Sequence, residues 1–127
     1  MKELLIREME NYFGKDRKRI NHAKKVLRYA EEMLEREGGD RDVVVAAAVL
    51  HDIGIHAAEK KYGSNAGKYQ EIEGPPIARR ILKKINFPLD KIEEVLEMIA
   101  YHHTPGIVKT QNFKTLYEAD CRVNRGE

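Results

Sequence analysis

The longest apolar run of this 127-residue chain is the eight-residue stretch at 43–50, Val-Val-Val-Ala-Ala-Ala-Val-Leu. It is far shorter than the ~20 apolar residues that a membrane-spanning helix needs. The three valines would suit a buried strand, but the alanine triplet favours a helix, because alanine has the highest helix propensity. A helix that is apolar on every side must be covered by other elements, so we expect it at the centre of a helical bundle.

The rest of the chain shows amphipathic helical stripes separated by short breakers, without convincing strand pairs. Helices are expected at about 1–13, 16–37, 40–50, 57–62, 75–85, 90–103 and 112–123, with Asp16, Asp40 and Asp90 as N-caps. The stretch at 52–76 is the least regular, and such a long connection in a small domain is typically functional. We therefore predict an all-α, single-domain bundle of about five to seven helices over residues 1–127.

Charge and cysteine content exclude several classes of protein. The net charge of +2 is too small to indicate a nucleic-acid partner. The basic run at 17–19 is followed on the same helix by glutamates, which is typical of a solvated helix face with ion pairs. The single cysteine, Cys121, excludes an intramolecular disulfide, and the N-terminus lacks a hydrophobic signal core. We expect a cytoplasmic protein with neither a membrane nor a nucleic-acid partner.

In three of the expected helices, polar side chains occupy the positions where the apolar stripe would continue. The central helix leads to His51 with Asp52 beside it, the last helix leads to Asp120, and His22 lies at the edge of the second helix's stripe. A buried ionised carboxylate is costly unless a cation or strong hydrogen bonds compensate it. Imidazole nitrogens and carboxylate oxygens both bind first-row divalent metals, so we predict one ion here. Without thiolates, an open site with bound waters fits better than a closed zinc site.

Two adjacent histidines, His102 and His103, continue the stripe of the helix expected after residue 90. Taken singly, a histidine on such a stripe is most often a satisfied core residue, and this pair could instead stabilise a helix C-terminus as cations. Polar residues that continue apolar stripes on four separate helices favour a metal site instead.

The order of these residues resembles the HD-domain superfamily of metal-dependent phosphohydrolases. His22 stands alone, His51-Asp52 lies within Val-Leu-His-Asp-Ile-Gly at 49–54, and Asp120 ends Tyr-Glu-Ala-Asp at 117–120. The segments at 71–82 and 99–103 agree, and the resemblance spans about 20–124. It implies an all-α bundle in which these four residues bind one metal ion, with Asp52 able to bridge to a second.

The resemblance also implies how a second ion would be held. In relatives with two metals, the ligands are a histidine near the Gly-Pro segment and one of the paired histidines. The first of these positions is expected at Glu73 or Gly74, so the second site is incomplete, with His102 as its best ligand and His103 and Glu73 as helpers. We expect one divalent ion (Fe, Mn, Ni, Co, Zn or Mg) and allow a second.

The activity implied is hydrolysis of a phosphate ester of a nucleotide or another small phosphorylated metabolite by metal-activated water. His102 or His103 is the expected general base or leaving-group acid, because histidine titrates nearest physiological pH. The expected phosphate-binding cations follow the His-Asp doublet, although a solvated surface position is the simpler interpretation of each: Lys60, Lys61 and Lys68.

Two further features of the sequence bear on function. The lysine and the Gly-Tyr-Pro motif of cyclic-di-nucleotide phosphodiesterases are absent, and Ile55 replaces the carboxylate of some nucleotidase relatives, so those substrates are not supported. Two alternatives stay open. A di-iron oxygenase of the same superfamily needs a well-formed second site, whereas a non-catalytic metal-containing binding module is favoured by the short chain.

Overall fold

The computed structural model describes residues 1–126, which form seven helices with no strand among them. This confirms the predicted all-α bundle. No helix within those residues is both long and apolar enough to cross a membrane. The helices are α1 (Lys2–Phe13), α2 (Arg17–Glu37), α3 (Arg41–Leu50), α4 (Ile55–Tyr62), α5 (Gly67–Lys84), α6 (Leu89–Ala100) and α7 (Gln111–Asn124).

Helix α3 lies at the centre of the bundle, as its composition predicts. Every residue from Val43 to Leu50 is at most 5% exposed, and the helix packs against α1, α2, α6 and α7. Its N-terminus is capped by Asp40, whose side chain accepts a hydrogen bond from the amide of Val43 at 3.2 Å. Because this central helix ends at Leu50, the next two residues also lie within the bundle: His51 is buried and Asp52 is partly buried.

Helix α5 begins at Gly67 rather than at the expected Pro75 or Pro76, and it carries both prolines in its interior. The expectation was wrong because it treated proline as a first-turn residue, whereas long-range packing holds this helix together. Gly74 lies against Gly54 in the turn after α3, where a Cβ on Gly54 would stand 2.6 Å from the Gly74 nitrogen. Only glycine permits this approach, which fixes α5 across the end of α3.

Helix α6 also differs from its expected bounds. It begins after Pro88, so that Asp90 lies in its first turn instead of capping it, and it ends at Ala100. The two histidines therefore lie in the following turn and not on the helix. The imidazole Nδ1 of His102 donates to the carbonyl oxygen of Ile99 at 2.6 Å, which satisfies one of the free carbonyls at the helix end. This contact turns the His102 ring back towards the core.

Candidate metal centre

Three helices that pack against one another bring the predicted metal ligands together. His22 comes from α2, His51 and Asp52 from the turn that ends α3, and Asp120 from α7. Helix α2 packs against both α3 and α7, and α3 packs against α7, so these side chains meet at a common junction. His51 is 1% exposed and Asp120 8% exposed, as the polar breaks in the apolar stripes predict.

The four side chains converge at short distances. Nε2 of His22 lies 3.0 Å from Oδ1 of Asp120 and 3.4 Å from Oδ2 of Asp52. Nε2 of His51 lies 3.3 Å from each of the same two oxygens. Two imidazole nitrogens and two carboxylate oxygens therefore surround one point, which is the arrangement that the sequence predicts.

The hydrogen bonding of His51 fits a metal ligand. Its Nδ1 donates to the carbonyl oxygen of Ala48 at 2.8 Å, which fixes the tautomer and leaves a lone pair on Nε2. That Nε2 is buried and has no hydrogen-bond partner among residues 1–126, despite the nearby carboxylates. Buried polar atoms are nearly always satisfied in folded proteins. A divalent cation between the nitrogen and the two oxygens would satisfy all of these atoms at once.

The charges of the cluster shift the pKa values of Asp52, Asp120 and His51 in the direction that favours their ionised forms. Burial raises the pKa of Asp52, but the imidazoles of His51 and His102 outweigh it and hold that pKa well below its usual range. The pKa of Asp120 is likewise raised by burial but lowered more strongly by His22 and His51. Burial lowers the pKa of His51, and the two carboxylates outweigh it and raise that pKa well above 6.5. A divalent ion that binds Nε2 would replace the proton that this nitrogen carries without the ion. The site therefore holds two carboxylates that demand positive charge.

A second group of potential ligands shares the Asp52 carboxylate. Its Oδ1 lies 3.3 Å from Nε2 of His102, which is buried and has no hydrogen-bond partner within the described residues. Donor atoms of Asp52, His102 and His103 all lie within 4.8 Å of one another, as do those of His22, His51 and Asp52. The cluster is compatible with divalent metal binding.

Comparison with known families identifies the family of the chain. The sequence matches the HD domain family over residues 19–124, most of the chain. The chain belongs to the HD domain family. HD domains make up a superfamily of metal-dependent hydrolases. Neither the curated proteins nor the solved structures gave a significant match.

In this HD domain, neither Glu73 nor Gly74 contributes a ligand atom to the groups gathered at the candidate metal centre. The Glu73 carboxylate accepts a hydrogen bond from the Tyr62 hydroxyl at 2.9 Å and pairs with Lys61 at 3.4 Å, so it is held against α4. Gly74 has no side chain and lies against Gly54. The Glu73 carboxylate is therefore not among the groups gathered at the metal centre.

The residue that approaches the paired histidines from α5 is Gln70, which is 8% exposed. Nε2 of His103 lies 3.1 Å from its Oε1, and its own Nε2 donates to the carbonyl oxygen of Asn65 at 2.6 Å. Gln70 extends the buried stripe of α5 by one turn before Gly74. That signal was present in the sequence, but it was hidden because the helix was expected to begin at the prolines.

A cavity of about 200 Å³ lies beside the metal centre of the HD domain. None of the three predicted phosphate-binding lysines, Lys60, Lys61 and Lys68, is among its described lining residues. Lys61 pairs with Glu73, and Nζ of Lys68 lies 5.0 Å from the ring centroid of Tyr69. The lining residues are Lys18, Arg19, His22, Asp52, Ile55, Gln70, His103, Asp120 and Asn124.

Proposed function

We propose that this HD domain hydrolyses a phosphate ester of a nucleotide or another small phosphorylated metabolite with metal-activated water. The observation that carries the proposal is the buried Nε2 of His51, which faces Asp52 and Asp120 without a hydrogen-bond partner in the described chain. Family membership supports a metal-dependent hydrolase. A cavity adjoins the site, so a small substrate could reach the ion.

In this proposal His22, His51, Asp52 and Asp120 hold the ion. A bound divalent ion supplies a low-pKa water and polarises a phosphoryl oxygen. The hydrogen bond from Nδ1 of His51 to the Ala48 carbonyl keeps a proton on Nδ1, so that Nε2 is the nitrogen available to bind the ion. The described geometry suits His102 in the same way, since its Nδ1 donates to Ile99 and its Nε2 faces Asp52. We therefore propose that His102 is a ligand of a second ion rather than a proton-transfer group.

His103 suits proton transfer better than His102. It lines the cavity, and the amide of Gln70 is oriented by its bond to Asn65, so that Oε1 faces the His103 ring. An amide oxygen only accepts hydrogen bonds, so Nε2 of His103 carries the proton and Nδ1 holds the lone pair. We propose that Nδ1 of His103 accepts a proton during attack or, once protonated, supplies one to the leaving group.

The test is an add-back experiment. Protein stripped by a chelator is loaded separately with iron, manganese, nickel, cobalt, zinc or magnesium and assayed against nucleotides, sugar phosphates and p-nitrophenyl phosphate. We expect metal-dependent release of phosphate that is lost in Asp52→Asn and retained in the control Asp90→Asn, an exposed carboxylate on α6. A fully loaded protein that turns over none of these esters would contradict the proposal and favour a non-catalytic binding module.

A di-iron oxygenase is the second candidate, and one observation favours it. Asp52 is shared between two groups of ligand atoms, so the chain offers a position for a second ion. The two functions differ in their need for oxygen. Consumption of dioxygen by the iron-loaded protein, without phosphate release under anaerobic conditions, would favour the oxygenase.

A further inference from the structure

Arg19 is a cationic side chain that lies one helical turn before the candidate metal ligand His22. It precedes His22 by three positions on α2, and residues three apart on a helix share a face. Both side chains line the cavity. The basic run at 17–19 was expected to form a solvated helix face. Two of its residues, Lys18 and Arg19, line the cavity instead, whereas Arg17 is not among the lining residues.

The hydrogen bonding of Arg19 is incomplete. Its side chain is only 20% exposed, and its Nε is buried with no hydrogen-bond partner among the described residues. The Glu59 carboxylate lies 3.9 Å from Nη2, which is too long for a hydrogen bond. A buried donor without an acceptor is destabilising, and guanidinium groups match the oxygens of phosphate. Because Arg19 lines the cavity and carries a positive charge, it is suited to an anionic ligand there.

The backbone of Arg19 is held in place by a hydrogen bond, and a carboxylate lies beside its guanidinium. Asp16 accepts the Arg19 amide hydrogen at 3.2 Å through Oδ1, and its Oδ2 lies 2.7 Å from Nε2 of His56 on α4. Glu59 accepts a hydrogen bond from Asn65 at 3.1 Å, so the carboxylate beside the guanidinium is anchored too. Such pre-organisation reduces the entropy lost when an anion binds.

A count of charges indicates which phosphate ester fits. Asp52 and Asp120 carry two negative charges, which a single divalent ion neutralises. A phosphate monoester dianion then brings two further negative charges, and the cavity offers two cations, Lys18 and Arg19. A diester carries one negative charge and would therefore be attracted less strongly by these two cations.

We propose that Arg19 and Lys18 bind the non-bridging oxygens of the substrate phosphoryl group and thereby select phosphate monoesters over diesters. This inference rests on the proposed function, which it narrows to one class of ester. Arg19 is the principal contact because its partly buried side chain lines the cavity, and its Nε has no hydrogen-bond partner among the described residues. Lys18 is exposed and contributes mainly its charge.

The test compares Arg19→Gln and Lys18→Gln with Arg17→Gln, a control that removes one positive charge from an exposed neighbour. Binding of inorganic phosphate to the metal-loaded proteins is measured by calorimetry, and p-nitrophenyl phosphate and bis(p-nitrophenyl) phosphate serve as monoester and diester substrates. We expect Arg19→Gln to weaken phosphate binding and to lower kcat/KM for the monoester by at least about tenfold, since charge-assisted bonds are among the strongest. Lys18→Gln should have a smaller effect, and Arg17→Gln should leave both quantities unchanged.

The diester serves as the internal standard. In Arg19→Gln the ratio of monoester to diester kcat/KM should fall, with metal content and Tm equal to those of the wild type. An unchanged ratio, or unchanged phosphate affinity, would overturn the inference. Should Arg19→Gln fail to fold, Arg19→Lys decides: weaker phosphate binding supports the guanidinium contact, and unchanged binding overturns it.

The two proposals fail in different ways. If the wild type binds phosphate through Arg19 but hydrolyses no ester, the proposed hydrolase is wrong and the anion contact stands. If the wild type hydrolyses monoesters and Arg19→Gln behaves like Arg17→Gln, the hydrolase stands and the role of Arg19 is wrong.

Discussion

Nε2 of His102 lies 3.3 Å from Oδ1 of Asp52, whose other carboxylate oxygen, Oδ2, faces His51 at the same distance. One carboxylate therefore serves two groups of histidines. Substitution of Asp52 should therefore disturb both possible ion positions. Substitution of one histidine should disturb only the position that this histidine faces. This difference separates the expected effects of their substitution.

Asp52→Ala should abolish metal binding. The variant removes a carboxylate that we place in direct contact with the ion, so its effect should exceed the roughly 10–100-fold loss caused by removing an outer hydrogen-bonding partner. Elemental analysis after loading and desalting measures the occupancy, and Asp90→Ala is the control. Full occupancy in Asp52→Ala would show that the ligand assignment is wrong.

His102→Ala should leave the first ion bound, because His22, His51 and Asp120 are untouched. We expect metal stoichiometry to stay at one or fall from two to one, with a reduced rate of ester hydrolysis. Elemental analysis and the phosphate-release assay on the same samples provide both quantities. A variant as empty of metal as Asp52→Ala would refute the division into two positions.

Asp40 should stabilise the fold through its charge and its cap. Burial raises its pKa, but hydrogen bonds from Val43 and Lys91 outweigh it and bring the pKa below 3.8. A lowered pKa in the folded state means that the contribution is complete above the unfolded value and is lost as pH falls through the folded value. We expect Asp40→Ala to lower the free energy of unfolding by about 1 kcal/mol at neutral pH.

Urea denaturation across acidic pH measures this effect, with Asp40→Asn as the matched variant. The amide of Asn still offers a capping oxygen, so this variant should lose less stability than Asp40→Ala. Its difference from the wild type should shrink as the pH falls below the pKa that Asp40 has in the folded protein. A difference that grew in acid would contradict the sign of the shift.

Gly54→Ala should destabilise the protein and disturb the site. The new Cβ would lie 2.6 Å from the Gly74 nitrogen and 2.9 Å from the Gln70 carbonyl oxygen, so backbone must move. We expect a loss of about 1–3 kcal/mol, the usual range for overpacking. Gly74→Ala is the comparison, because its Cβ would meet the Cγ2 atom of Ile99 at 3.0 Å, where a side chain can move, and the Gly54 nitrogen only at an ordinary contact distance of 3.8 Å. Equal losses in thermal unfolding would argue against the backbone contact.

The sequence was most informative where burial and polarity conflict. The apolar run at 43–50 predicted the central helix, and the polar interruptions of three apolar stripes predicted the four residues that converge at the metal centre. Both follow from the high cost of burying charge without compensation, which a single sequence reveals through periodicity. Family membership was equally accessible, since its motif consists of these same residues.

Features set by contacts between distant segments were not predictable in the same way. The start of α5 depends on Gly54 meeting Gly74, a contact across two helices that local proline rules do not contain. Because that start was misplaced, the inward position of Gln70 was missed. Arg19 was assigned to a solvated face because a basic run carries no signal of which member turns towards a cavity.

The residues at the metal centre come from the second, third and last helices, and His22 and Asp120 are 98 positions apart. An ion held there would act as a cross-link between distant parts of the chain, without a disulfide. Its binding free energy would then add to the free energy of unfolding, as for any ligand that prefers the folded state. Chelation should therefore lower the melting temperature, and refilling the site should restore it.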